Sequence, residues 1–472
     1  MTSRTSYLVF AAAELMYIVA VAGRSSFGVA GLYALDRFQI DAATLSLFTV
    51  IQLGVYAGAQ IPVGYLLDRI GVRRVLVGGA LIMAAGQLLL ALSSALAWAL
   101  TARIFIGLGD ATAFTSVLRL LPAWFAPRRI PLMTQLTGMI GQLGQVISSI
   151  PFAFTLAHLG WSPAFTSLAI MGTASAVCGF FLVRNSPQVS QNPHLAALLV
   201  SDDSAVSTSF SSASSSQIRE AEGVEDVPRI SAFVPSLPMT TKEAVSHPGT
   251  WLGFWTHFTC GFPQMVVLLL WGTPFFEVAQ GMSAKSAAAL LILLPVVGIG
   301  FGPLVARFTS RHPVRRSWLV LASVVWTVIA WIPFLAWPGE RPFWMLIHLC
   351  CALSFTGICS TIAFDFVRTS VHVDRLGTAN GLSNAGGFCA CLCASFLIGL
   401  ILDWRSPEGV YSAADFRLAL ASQILILFVG VLGILISRMR LRARIERAGF
   451  TVPPLREVIA RYRAHEGKIS LS

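Results

Sequence analysis

Charge is what this chain has least of. Asp, Glu, Lys and Arg make up 12% of its 472 residues, while 55% are hydrophobic, and the mean hydropathy is +0.73. Soluble domains carry roughly twice that share of charge, so the chain reads as a membrane protein. Acidic residues are the scarcer sign, 22 against 33 basic, for a net charge of +11. An excess of that size can mark a nucleic-acid binder, but here the basic residues fall in alternate loops, which points to a lipid bilayer and not to nucleic acid. Also missing is a Gly-rich phosphate loop ending in Gly-Lys-Ser or Gly-Lys-Thr, so nucleotide-driven work within this chain is excluded. The His-Glu-x-x-His helix and the Gly-x-Ser-x-Gly elbow are absent too, leaving no motif for a membrane enzyme and no call for a cofactor. All eight cysteines lie in apolar stretches, which argues against a disulfide framework. Cys389, Cys391 and Cys393 alternate at a spacing that spreads side chains around a helix, a pattern for packing and not for holding a metal.

What the chain has in quantity is long apolar runs. About twelve are long enough to cross the roughly 30 Å of hydrocarbon as helices: residues 7–35, 43–67, 75–95, 97–121, 132–156, 162–184, 250–276, 285–306, 316–336, 343–367, 377–402 and 413–437. The first lacks a small-residue cleavage site and reads as a retained span. Arg69, Arg73 and Arg74, then Arg128 and Arg129, then Arg311, Arg315 and Arg316, then Arg438, Arg440, Arg442 and Arg444 all fall on one side. That side is expected to be cytoplasmic, with both termini on it and the protein in the plasma membrane.

Residues 185–248 interrupt the pattern with "SDDSAVSTSFSSASSSQIREAEGVEDVP", serine-rich, partly acidic and unable to bury a core. The chain therefore divides into a first six-helix bundle (1–184), a cytoplasmic linker (185–248), a second six-helix bundle (249–437) and a basic cytoplasmic tail (438–472). The two bundles repeat at an offset of about 240 residues: Gly64 and Leu66 before Arg73 and Arg74 answer Gly302 and Leu304 before Arg315 and Arg316, and Arg129 with Gly141 answers Arg375 with Gly387. Parallel repeats of this kind build transporters whose halves face each other across a central site.

The run "GYLLDRIGVRR" between the second and third spans carries Gly64, Leu66, Asp68, Arg69, Gly71, Arg73 and Arg74. It resembles the signature between helices two and three of the major facilitator superfamily. The resemblance implies an all-α integral membrane fold of twelve transmembrane helices in two six-helix bundles. It also implies that Asp68 sits by the start of helix eleven, near Gly377 and Thr378, where a carboxylate meets unpaired N–H groups and the positive end of the helix dipole. In the second half Ala306 stands where the aspartate would be, so such a latch is expected on one side only.

Ionisable side chains inside spans are costly and mark functional positions. Glu14, Tyr17, Val21, Arg24, Gly28 and Gly31 share one stripe of the first helix. The run "YIVAVAGRSSFGVA" looks like the first helix of the superfamily's organic-anion branch, which implies that Arg24 meets an anionic substrate; its planar fork suits a carboxylate or phosphate. The alternative is a structural pair of Arg24 with Glu14 or Asp110. In "LTARIFIGLGDATAF", Arg103, Gly107, Asp110 and Phe114 lie along one face and resemble the arginine and glycine motif of helix four. Burial would let Asp110 take up and release a proton as access alternates, with a nearby Arg103 biasing it toward ionisation; the alternative is a fixed pair of Arg103 with Asp110. His257, Gln264 and Trp271 in the seventh span, and Asn380, Asn384 and Gly387 in the eleventh, read as polar lining, with His257 able to share a proton step. Asp365 and Arg368, three apart, read as a gate pair. Glycines 138, 141 and 144 bring the fifth helix close to a neighbour.

The expected function is secondary transport of a small solute by alternating access, as proton-coupled uptake of an organic anion by a monomer. The competing readings are a proton antiporter exporting hydrophobic or cationic compounds and, from another class, a non-transporting membrane sensor.

Overall fold

The computed structural model describes residues 4–40, 42–186, 238–312, 315–337, 339–407 and 411–447. Twelve of its helices are long and apolar enough to cross a membrane. The first bundle comprises α1 (Arg4–Phe38), α2 (Ala42–Ile70), α3 (Val72–Leu92), α4 (Leu96–Trp124), α5 (Ile130–Leu159) and α6 (Trp161–Leu182). The second comprises α7 (Pro248–Ala279), α8 (Ala284–Arg311), α9 (Arg316–Ala336), α10 (Phe343–Arg368), α11 (Leu376–Arg405) and α12 (Ala413–Arg447). The helices are hydrophobic nearly all round, as helices must be when lipid wets one face and protein the other.

Each bundle has its own apolar core. Phe48, Ile106, Phe165 and Leu90 sit in the first, and Phe262, Trp331, Phe334 and Phe416 in the second. Phe364 and Phe388, from the second bundle, pack into the first core. Where prolines remove backbone donors, the long spans loosen into π-turns: Ser148–Phe152 holds Pro151, and Phe275–Ala279 follows Pro274.

Three outcomes refine the sequence reading. The stretch from Gly64 to Arg74, expected to link spans ending near residue 67 and resuming near 75, is helical to Ile70 and again from Val72. It is the end of α2 and the start of α3, broken only at Gly71, whose φ of +84° suits glycine. A side chain there would also strike Asn185, whose carboxamide oxygen accepts from the Arg73 N–H at 3.0 Å. Second, the segment taken as linker ends in a short helix, Thr241–Ser246, closed by a Thr240/Glu243 capping box. Met239 and Ala244 bury against Val367, Val371, Leu376 and Ala379, so this end belongs to the second bundle. The serine-rich part lies outside the described residues. Third, α12 runs on to Arg447, so the basic tail begins as helix; Arg438 stacks over Trp318 at 4.7 Å.

Candidate functional site

The halves meet along α2 and α11. On α2, Tyr56, Gln60, Gly64 and Asp68 recur every fourth residue and so form one stripe. Gly377, Gly381, Asn384 and Phe388 form the facing stripe of α11. At the crossing the backbones touch: a Cβ at Gly64 would strike the backbone of Gly377 and Thr378, and one at Gly381 that of Gln60. Below them Asp68 takes three hydrogen bonds from the first turn of α11, from the N–H of Gly377, the N–H of Thr378 and the Thr378 hydroxyl, each at 2.8 Å. α11 has no side-chain cap of its own, so a carboxylate from the other bundle supplies one. Arg119 of α4 holds that carboxylate from behind at 3.2 Å.

The other residues expected at a gate make no hydrogen bond or ion pair to α11 among the described residues. Arg69 lies over the Tyr65 ring and Arg73 over Phe180, while Arg74 is exposed. Asp365 and Arg368 pair at 3.0 Å within α10, and the buried Arg316 donates to the Asp365 carbonyl at 3.2 Å. A second polar contact joins the bundles where Gln135 of α5 donates to Thr361 of α10. These inter-half contacts fall at the middle of the helices or nearer the basic loops.

Above the latch is the midplane group. Arg24 of α1 pairs with Asp110 of α4 at 3.2 Å, with the arginine side chain 16% exposed and the aspartate 1%. Its guanidinium stands 5.7 Å from the centre of the Tyr56 ring, and the Tyr56 hydroxyl accepts from the Asn384 amide at 3.0 Å. Tyr56 also packs on Phe388, ring centres 4.1 Å apart. A chain of rings, Tyr17 to Phe114 to Phe364 to His257, crosses from α1 through α4 and α10 to α7. The Asp110 Oδ1, His257 Nδ1 and Asn380 Oδ1 atoms are buried without a hydrogen-bond partner.

Of the residues singled out by sequence, Arg24, Asp110, Tyr17 and Asn384 come together here. Arg24 chooses Asp110 over Glu14. Arg103 does not pair with Asp110: its Nε donates to the Phe48 carbonyl at 3.4 Å and its guanidinium covers the Phe27 ring at 4.6 Å. Trp271 donates to the Ser395 carbonyl at 3.2 Å inside the second bundle, and Gln264 lies over Gly357. Sequence reasoning missed Tyr56, although its place on the four-residue stripe with Gln60, Gly64 and Asp68 was available. It also missed Arg119, Gln135 and the contact that Glu14 makes with Thr137. Cys391 is buried, Cys389 half-buried and Cys393 exposed, and among the described residues no group of three His, Cys, Asp or Glu side chains is placed to hold a metal.

Two six-helix halves, a charged pair at the midplane and a polar latch on one face define a membrane transporter and not an enzyme. The chain belongs to the major facilitator superfamily, whose profile it matches over residues 14–395. It is similar to the proton:xylose symporter XylE, with a TM-score of 0.64 and 14% identity over 92% of this chain and 97% of that one. In sequence it is similar to the probable sulfoacetate transporter SauU of Cupriavidus necator, 23% identical over 39% of this chain and 43% of that protein, so this match spans under half the relative's length. It is also similar to probable anion transporter 7 of Oryza sativa subsp. japonica, 22% identical over 82% of this chain and 85% of the relative.

Proposed function

We propose that the protein carries a small organic anion together with a proton, by rocking its two bundles about the midplane. The observation that carries this reading is the Arg24–Asp110 pair: a partly accessible guanidinium, in a membrane interior, neutralised by a carboxylate with one oxygen free of partners. An anion arriving at Arg24 competes with Asp110 for the same fork. A proton on Asp110 removes the competitor and frees the fork for the anion. Binding of proton and anion then favour each other, which is the thermodynamic condition for moving both together. Similarity to the probable sulfoacetate transporter SauU and to probable anion transporter 7 supports an anionic cargo.

Tyr56 links this event to the latch side. It stands under Arg24 and is bonded to Asn384 of the other bundle, so a ligand that draws Arg24 away alters an inter-half contact. His257, Gln264, Trp271, Asn380 and Asn384 supply the second bundle's polar side, and Asp68 with Arg119 holds the latched face. By the positive-inside rule that face is cytoplasmic, in the plasma membrane, and a monomer contains all the parts.

The test is interior pH in proteoliposomes of purified protein, challenged in turn with pooled carboxylates, pooled phosphorylated metabolites and pooled cationic drugs. Acidification driven by an anion pool, lost in Asp110→Asn and in Arg24→Ala, is expected. Proton exit from acid-loaded vesicles in response to the cation pool alone would overturn the reading in favour of antiport.

A further inference from the structure

Asp365 and Asp415 are buried beside Arg368 and Arg405, but the proposed mechanism leaves unused a buried carboxyl with no such partner. Glu14 of α1 is 3% exposed. One of its oxygens accepts from the Thr137 hydroxyl of α5, and the other, Oε2, is buried without a hydrogen-bond partner. It has no ion-pair partner among the described residues. Arg24 is ten residues on, about 15 Å along the helix, and is engaged by Asp110. The elements around Glu14 offer it no cation. α5 and α6 contain no Asp, Glu, Lys or Arg; their titratable groups are His158, exposed at the far end of α5, and Cys178 of α6, while Arg129, just before α5, donates to the Tyr7 hydroxyl at 2.9 Å, two turns along α1 from Glu14. On α4 the charged residues are Arg103, Asp110 and Arg119, whose partners are described above. On α3 they are Arg73 and Arg74 at the basic face. On its own helix Tyr17 is the near titratable neighbour. An ionised carboxyl in hydrocarbon requires a cation or water beside it; one carrying a proton requires neither.

The partner of Glu14 is placed to report its state. Two residues apart on a helix, side chains point about 200° from each other, so Thr137 and Gln135 face opposite neighbours. Thr137 meets Glu14 of α1, while Gln135 donates to Thr361 of α10 across the halves. The same division runs up the helix: Gly138 faces Thr361, whereas Gly141 and Gly144 lie against Tyr17 and Val21 of α1. This short stretch of α5 therefore ties a carboxyl in the first bundle to an inter-half contact on the latched side.

We infer that Glu14 is a second proton-binding group of the transport cycle, distinct from the Arg24–Asp110 pair, and that its contact with Thr137 sets the position of α5 at the Gln135–Thr361 gate. Loading converts the carboxylate to the acid and unloading reverses it, with no other bond made or broken. The transport role rests on the proton-coupled reading above; the proton site itself does not.

Infrared spectroscopy of the full chain in lipid nanodiscs, titrated through the ordinary carboxyl range and beyond, separates the two. Wild type is expected to show a C=O band of a buried protonated carboxyl that Glu14→Gln abolishes, that Asp110→Asn leaves in place, and that Thr137→Val shifts by removing its hydrogen bond. Identical carboxyl spectra in wild type and Glu14→Gln would overturn the assignment, whatever the vesicle assay shows. With the band assigned, Glu14→Gln is expected to retain binding of the active anion pool and lose its proton-driven flux, and Glu14→Asp to restore part of it. A Glu14→Gln protein with wild-type flux would overturn the role in the cycle.

Discussion

Replacing Asp68 by Asn probes the inter-half latch with a change of one atom type. The carboxylate receives three donors from α11 at 2.8 Å and one from Arg119 at 3.2 Å. Hydrogen bonds to an ionised group contribute about 1.5–3 kcal/mol each. The asparagine oxygen can keep part of this set, but its amide nitrogen turns a donor toward donors, and the attraction to the helix dipole and to Arg119 is lost. A net cost of about 2–4 kcal/mol to the latched arrangement follows, or a change of about 30-fold to 1,000-fold in its population ratio. Thr378→Val deletes only the hydroxyl donor and should cost about 1 kcal/mol, about fivefold. The readout is the distance distribution between spin labels at Arg128 and Arg311, exposed positions on opposite bundles. Labels carried by unnatural amino acids avoid the exposed Cys393. The expected result is a graded growth of the longer-distance population from wild type through Thr378→Val to Asp68→Asn. A distribution in Asp68→Asn that matches wild type would refute the reasoning, because it would mean that the three bonds from α11 do not hold the halves together.

Gly64→Ala places a methyl group against the backbone of Gly377 and Thr378, where nothing flexible can yield; transport should fall and the same label pair should lengthen, while the thermal stability of each bundle stays near wild type. His247, just before α7, is buried, and its Nδ1 accepts from the Gly249 N–H at 3.1 Å. Burial, with Arg444 adding to it, pushes its pKa down from 6.5 to about 4. The folded form therefore resists a proton that the unfolded form accepts, so stability is unaffected above about pH 6.5 and falls as the pH drops from there toward 4. Hydrogen exchange of residues 239–250 should rise over that window after correction for intrinsic rates, and His247→Asn, which keeps the acceptor without the titration, should flatten the rise.

Architecture was legible in the sequence because hydrocarbon imposes a single length and a single composition on every span. The twelve runs follow from that alone, and the two halves from the serine-rich break at 185–248 and the repeat on either side of it. Arg24, Asp110 and Asp68 were legible for the related reason that a charge in so apolar a chain must be accounted for. What the sequence could not supply was pairing. Arg24 had Glu14 and Asp110 within reach along its stripe and its neighbour helices, and only the packing of α1 on α4 selects Asp110. Arg103 looked equally suited to Asp110 because it lies on the same helix, but two turns separate them, and its guanidinium turns to the face of Phe27. Neutral polar residues were the least legible: Gln135, Thr137 and Tyr56 carry no charge to draw notice, yet each makes an inter-helix contact on which the site depends. The short helix Thr241–Ser246 was hidden by its serine-rich approach, although Thr240 followed three residues later by Glu243 is a helix-start signal.

The one-sided latch can be traced to a proline. In the internal repeat Arg375 corresponds to Arg129, which sets Gly377 against Pro131 and Thr378 against Leu132. The first of the backbone donors that Asp68 uses is the Gly377 N–H. At the equivalent place α5 begins Ile130–Pro131, and proline has no N–H to give; Leu132 also lacks the hydroxyl that Thr378 contributes. A carboxylate on α8 would thus meet at most one of the three donors while losing its hydration, an unfavourable exchange in so apolar a setting. Ala306, 2% exposed, stands where that carboxylate would be, and α8 instead meets α5 through Gly302 against Met139. The two departures from symmetry are therefore one departure. Where α11 offers donors the chain supplies a carboxylate, and where α5 withholds them it packs small and apolar residues. The latched face is held by charge on the α2–α11 side, and on the α5 side by close packing and one neutral side chain, Gln135, which donates to Thr361 and to the Ile358 carbonyl; this makes α5 the side that a change at Glu14 can move at least cost.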